Sequence, residues 1–126
     1  MKSEGVLVER WRTLLTSYNE VAGHLERALQ EHHELTLSEF EILDRLAGQD
    51  CVERRMQELA ADMYLSQSAL SRAVSRLEKT GLVTRALCEA DRRGVFVRLN
   101  EAGLARHAAA RQTHLAVLAE HLQPAQ

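Results

Sequence analysis

Residues Met56–Leu99, MQELAADMYLSQSALSRAVSRLEKTGLVTRALCEADRRGVFVRL, decide the fold. Met56–Tyr64 reads as a short helix with Leu59, Ala60 and Met63 turned inward, Leu65 as the plug of a tight turn, and Ser66 as the cap of a second helix. Leu70, Ala73, Val74 and Leu77 then recur at i, i+3, i+4 and i+7, which gives the second helix one apolar face. Gly81 suits the left-handed position that ends such a helix. Leu82–Leu87 and Val95–Leu99 are β-like runs joined by Cys88–Gly94, whose tip carries Asp91-Arg92-Arg93. Two short helices can present one of them to a DNA groove, and an arginine-tipped hairpin can reach a neighbouring groove.

The polar face of the second helix supports that use. It carries Gln67, Ser68, Ser71, Arg72, Ser75 and Arg76, with no acid before Glu78. A solvated helix face ordinarily mixes Glu with Lys. Small hydroxyls instead permit close approach, and a forked guanidinium can bond guanine O6 and N7 together. The charge distribution agrees. Residues 1–66 hold 7 basic and 13 acidic side chains, whereas residues 67–98 hold 7 basic and 3 acidic, so the chain's net charge of −2 conceals a basic segment.

Outward from this segment, Leu7, Trp11, Leu14, Leu15, Tyr18, Val21, Ala22, Leu25 and Leu29 form one apolar stripe, which predicts a helix from about Val6 to Glu31. A further helix begins within Thr36–Glu41, where Thr36/Glu39 and Ser38/Glu41 each fit a capping box, and Gly48 stops it. Asn100 caps the last helix, along which Leu104, Ala108, Arg111, Leu115, Leu118 and Leu122 make a heptad-like seam. The 126 residues suffice for one domain. No apolar run reaches the roughly 18 residues of a membrane span, and the N-terminus lacks the apolar core of a signal peptide. Cys51 and Cys88 form neither a disulfide framework nor a zinc knuckle, so the expected compartment is the cytoplasm.

From Leu65 to Val83 the chain fits L-S-x-S-x-L-S-R-x-V-x-x-L-E-x-x-G-L-V, followed by Asp91-Arg92-Arg93, by V-x-L-x-x-x-G at Val97–Gly103, and preceded by LTLSEFEIL at Leu35–Leu43. In these motifs, over roughly residues 6–120, it resembles the MarR (multiple antibiotic resistance regulator) family of bacterial transcription factors. The resemblance implies a mainly α fold with a small β-hairpin wing, a winged helix-turn-helix with N- and C-terminal dimerisation helices. Residues 36–100 would form the DNA-binding lobe, and 1–35 with 101–126 the dimerisation helices, of one domain spanning 1–126. It implies a homodimer on a pseudo-palindromic operator, with Gln67, Ser68, Ser71, Arg72, Ser75 and Arg76 in the major groove. Arg92 or Arg93 would enter the flanking minor groove, and Asp91 would hold the wing. Family members usually continue into a further C-terminal helix that clasps the partner; a sequence ending at Gln126 implies a smaller or differently closed dimer, or a trimmed terminus.

Many relatives bind phenolic or aromatic carboxylate effectors between the dimer helices and the DNA-binding lobe, which makes Trp11, Tyr18 and His33 candidate contacts to a small aromatic effector. His32, His33, His107 and His114 lack the i, i+4 spacing of a tight metal site, so no metal or cofactor is expected. Cys88 beside the wing keeps a redox-responsive regulator as an alternative, alongside a metal-responsive one and a winged helix that binds protein instead of DNA. No nucleophile–base pair, phosphate loop or metal-binding helix motif marks an enzyme.

Overall fold

The computed structural model describes residues 3–48, 53–88 and 91–122. Five helices and three strands follow in the order α1 (Glu4–His33), α2 (Leu37–Ala47), β1 (Glu53–Arg55), α3 (Met56–Met63), α4 (Gln67–Lys79), β2 (Val83–Cys88), β3 (Asp91–Leu99) and α5 (Glu101–His121). The strands form one antiparallel sheet in the order β1-β3-β2. The fold is therefore mostly helical with a small winged sheet, as the sequence implies.

Helix boundaries follow from their caps. Thr36, not Ser38, closes the capping box of α2: Glu39 N–H donates to Thr36 Oγ1 (3.0 Å) and Thr36 N–H to Glu39 Oε1 (2.7 Å). Ser66 Oγ accepts from Ala69 N–H (3.1 Å) and starts α4. At the end of α4, Gly81 takes φ +77°, which lets Gly81 N–H reach Glu78 O and Leu82 N–H reach Leu77 O, both at 3.0 Å. Glu34 and Tyr64 adopt the same left-handed conformation after α1 and α3, each at φ 56°, without the freedom glycine would give.

The core lies between α2, α3, α4 and the sheet. Phe40, Leu43, Leu46, Leu59, Leu70, Leu77, Val83 and Val97 are fully buried there, with Leu29 of α1 and Ala110 of α5 closing it from above. Asn100 pins α5 to this lobe: its Oδ1 accepts from Gly103 N–H and its Nδ2 donates to Gly81 O, both at 2.8 Å. Gly103 sits so close that an added Cβ would strike Leu82 O and the Leu99 side chain.

Three expectations change in detail. The helix α1 runs to His33, two residues beyond the expected end at Glu31, because Glu34 and Leu35 N–H groups close its last turn on Gln30 O and Leu29 O. Strand β3 begins at Asp91, which pairs with Cys88 across an irregularity in register after the Leu87–Val95 pair, so the hairpin connection is shorter than Cys88–Gly94. The strand β1 is absent from the sequence reading, since Glu53-Arg54-Arg55 has no apolar alternation and forms only by pairing with Arg98, Val97 and Phe96. The side chains of Cys88 and Asp91–Gly94, and Cys51 altogether, lie outside the described residues.

The two long helices differ from the lobe. Leu7 (58% exposed), Trp11 (61%), Leu14 and Tyr18 (68%) of α1 stand in solvent. So do Leu104, Leu115 and Leu122 of the expected α5 seam. Within the chain α5 instead turns inward a line of small and imidazole side chains, with Gly103 and Ala110 buried and His107 and His114 stacked on Phe40 at ring-centroid distances of 5.6 and 4.6 Å.

Candidate nucleic-acid interface

Helix α4 projects Gln67, Ser68, Arg72, Ser75 and Arg76 outward, while Ser71 is half-buried. What these groups can do depends on which are already engaged. Arg85 of β2 reaches across to the helix: its Nη2 donates to Ser71 O (2.9 Å) and Ser75 Oγ (2.7 Å), and its Nε lies 2.8 Å from Glu78 Oε1. That last pair is an electrostatic contact without hydrogen-bond alignment, for Nε is buried with no hydrogen-bond partner. Arg76 Nε lies 3.4 Å from Glu39 Oε2, the same carboxylate that caps α2 through its other oxygen. The helix is thus fixed from two sides, to the wing by Arg85 and to α2 by Arg76.

This sorts the six expected readers. Gln67 and Arg72 are uncommitted among the described residues, and Ser68 Oγ touches only Ser66 Oγ at 3.3 Å. Ser71, Ser75 and Arg76 carry the anchoring contacts. A guanidinium already paired to a carboxylate has less to offer a base edge, whereas Arg72 keeps its whole donor fork. Sequence reading missed Glu39 and Arg85 as the residues that set the helix. Arg85 had a legible signal: in β2 it shares a face with buried Val83, hence the face toward α4. Arg92 and Arg93 extend the basic segment along β3, with Asp91 paired in register to Cys88 by backbone.

A crevice of about 590 Å³ opens between α1, α2, α5 and the end of α3 with the turn after it. Tyr18 lines it; Trp11 and His33 do not. Trp11 lies two turns before Tyr18 on α1, and His33 borders a separate depression with His32 and Arg106. His33 Nε2 meets Thr113 Oγ1 at 2.6 Å, and its carbonyl accepts from Arg106 Nη1 at 2.9 Å. Burial, then the neighbouring His32 and Arg106 charges, holds the His33 imidazole below its ordinary range. His107 bonds Asp44 Oδ1 (2.7 Å), and His24 stacks on His121 with ring centroids 3.6 Å apart. No group of three or more His, Cys, Asp or Glu among the described residues is arranged to hold a metal. No helix among them is long and apolar enough to cross a membrane.

Comparison with known proteins gives the family. A family model described as the MarR family matches residues 35–95. The crystal structure of AbsC, a MarR family transcriptional regulator from Streptomyces coelicolor, is similar at 34% identity and a TM-score of 0.85, over 97% of this chain and 81% of that one. A second MarR family regulator from the same organism, solved in complex with DNA, is 31% identical with a TM-score of 0.86, over 97% and 75%. The transcriptional regulator BldR from Sulfolobus solfataricus is 25% identical with a TM-score of 0.88, over 100% and 88%. No curated protein matches the chain.

Proposed function

Because the chain belongs to the MarR family of transcriptional regulators, we propose that it is a cytoplasmic homodimeric repressor that binds a pseudo-palindromic operator and is released by a small aromatic or phenolic effector. The observation that carries the DNA reading is the exposed face of α4. It lacks acids before Glu78, keeps Gln67 and Arg72 free among the described residues, and is held by Glu39 and Arg85. A reading helix needs both properties, uncommitted donors and a rigid mount, because discrimination between bases depends on bond geometry. One regulator similar to this chain is bound to DNA in its structure.

In this account Arg72 and Gln67 read base edges in the major groove, and Ser68 approaches the backbone. Arg76, Ser71 and Ser75 set the helix and meet phosphates at its flank. Arg92 or Arg93 reaches the minor groove, where a narrow A·T-rich tract deepens the negative potential, and Asp91 supports the wing. The exposed apolar faces of α1 and α5 pack on a second copy, which places two α4 helices on half-sites about one helical turn apart. An effector in the crevice between the dimer helices and the lobe, against Tyr18, favours a dimer whose helices no longer match that spacing. Trp11 and His33, the other two expected effector contacts, lie outside that crevice.

Titration of the protein into labelled DNA from upstream of its own gene, beside scrambled DNA, tests the proposal. The specific complex is expected in the range of about 10⁻⁸ M or tighter. Scrambled DNA should bind at about 10⁻⁶ M or weaker, with a steep loss on raising salt. Equal weak binding to both sequences defeats the proposal.

A further inference from the structure

The crevice's chemistry points beyond the presence of an effector to its charge. Its walls are mostly apolar, but two carboxylates, Glu41 and Asp62, face it against a single guanidinium, Arg45. That guanidinium is spent. Arg45 Nη1 lies 2.5 Å from Glu41 Oε2, and its Nη2 donates to the carbonyl of Asp62 at 3.4 Å. Asp62 Oδ2 takes a further bond from Arg54 Nη2 at 2.6 Å, which leaves Oδ1 of Asp62 and Oε1 of Glu41, on two residues that line the crevice, without a hydrogen-bond partner among the described residues. Two tyrosines line the same crevice: Tyr18 on α1, and Tyr64, which is 96% exposed in the turn before α4.

An anionic ligand would have to take Arg45 from Glu41 and leave that carboxylate unpaired against an apolar wall, a rejection built into the site. An organic cation meets the opposite situation. It finds unused carboxylate oxygens, and aromatic faces whose quadrupole attracts positive charge. We propose that the crevice selects a lipophilic organic cation, an aromatic or aliphatic body bearing an ammonium group, received by Glu41 and Asp62 between Tyr18 and Tyr64. This inference rests on the effector reading of the crevice given above.

A matched pair of ligands tests it: 2-naphthylmethylammonium and 2-naphthoate, similar in shape and opposite in charge, each titrated calorimetrically into the full chain at neutral pH. The ammonium compound should bind about tenfold tighter or more, the scale of one favourable charge contact. Glu41→Gln should erase most of that preference, and Asp62→Asn, on a different helix, should do so independently. Naphthoate binding as tightly as the ammonium compound overturns the proposal, as does binding of neither, or a preference that survives both variants. The same compounds added to the protein–DNA complex separate this inference from the one beneath it. Cation binding without DNA release keeps the charge selection and defeats effector relief. Release by naphthoate alone keeps effector relief and defeats the charge selection.

Discussion

The lobe of α2, α3, α4 and the sheet keeps its apolar residues inside, with Phe40, Leu43, Leu59, Leu70 and Val97 wholly covered, while α1 leaves Leu7, Trp11, Leu14 and Tyr18 in water. Both regions carry equally regular apolar patterns, so pattern alone does not separate them. The difference lies in what covers each. The lobe's apolar face meets the other elements of its own chain, and the stripe of α1 is left uncovered by the other described elements. A contiguous apolar face of this kind marks an association surface. The lobe covers its own apolar face, and the long helices carry the face proposed to be shared.

The largest test of that contrast removes the centre of the lobe. Phe40→Ala should cost about 3–5 kcal/mol in urea unfolding, because the ring fills the space beneath His107 and His114 and nothing can collapse into it. Trp11→Glu should leave the lobe folded yet weaken self-association by about 2 kcal/mol or more, read as a shift toward monomer in sedimentation. An unchanged oligomeric state would mean that the α1 stripe is not the shared surface. Arg72→Ala should lower the ratio of operator to scrambled binding by about 1–3 kcal/mol. Arg93→Ala should weaken both DNAs alike, and equal losses from both variants would erase the distinction between reading and holding. Thr36→Ala should cost about 1 kcal/mol of thermal stability by opening the capping box, with a secondary loosening of Arg76 through Glu39.

The smallest effect is a pH dependence at the junction of the two regions. The folded state holds His33 below its ordinary value of 6.5, so the unfolded chain binds protons more readily. Stability should therefore be intact above pH 6.5 and decline as pH falls from there through the folded value. His33→Gln should flatten that part of the profile. A profile unchanged by the substitution would place the dependence on other groups.

Much of this was legible in the sequence, for local reasons. The cap at Ser66, the left-handed Gly81, the apolar face of α4 and the acid-free face opposite are all set by residues within one or two turns of each other. The choice of Thr36 over Ser38 was not, because both capping boxes satisfy the same local rule and only the burial of Leu35 and Glu39 decides between them. Nor was β1, whose three polar residues pair only because β3 is already in place. Glu39 and Arg85 were missed as anchors of α4 because each acts on an element distant in sequence. The inward line of α5 was hidden for another reason. Leucines announce a buried face, but the residues that pack against the chain are glycine, alanine and histidine, which close helix approach admits.

The proposed repression requires that α1 and α5 of two copies hold two α4 helices over one DNA site. Hydroxyl-radical footprinting of the protein on DNA upstream of its own gene tests this most directly. The expected pattern is two inverted half-sites about 10 base pairs apart, centre to centre, protected together at every protein concentration. A single half-site protected by one chain, or protection without sequence preference, would contradict it.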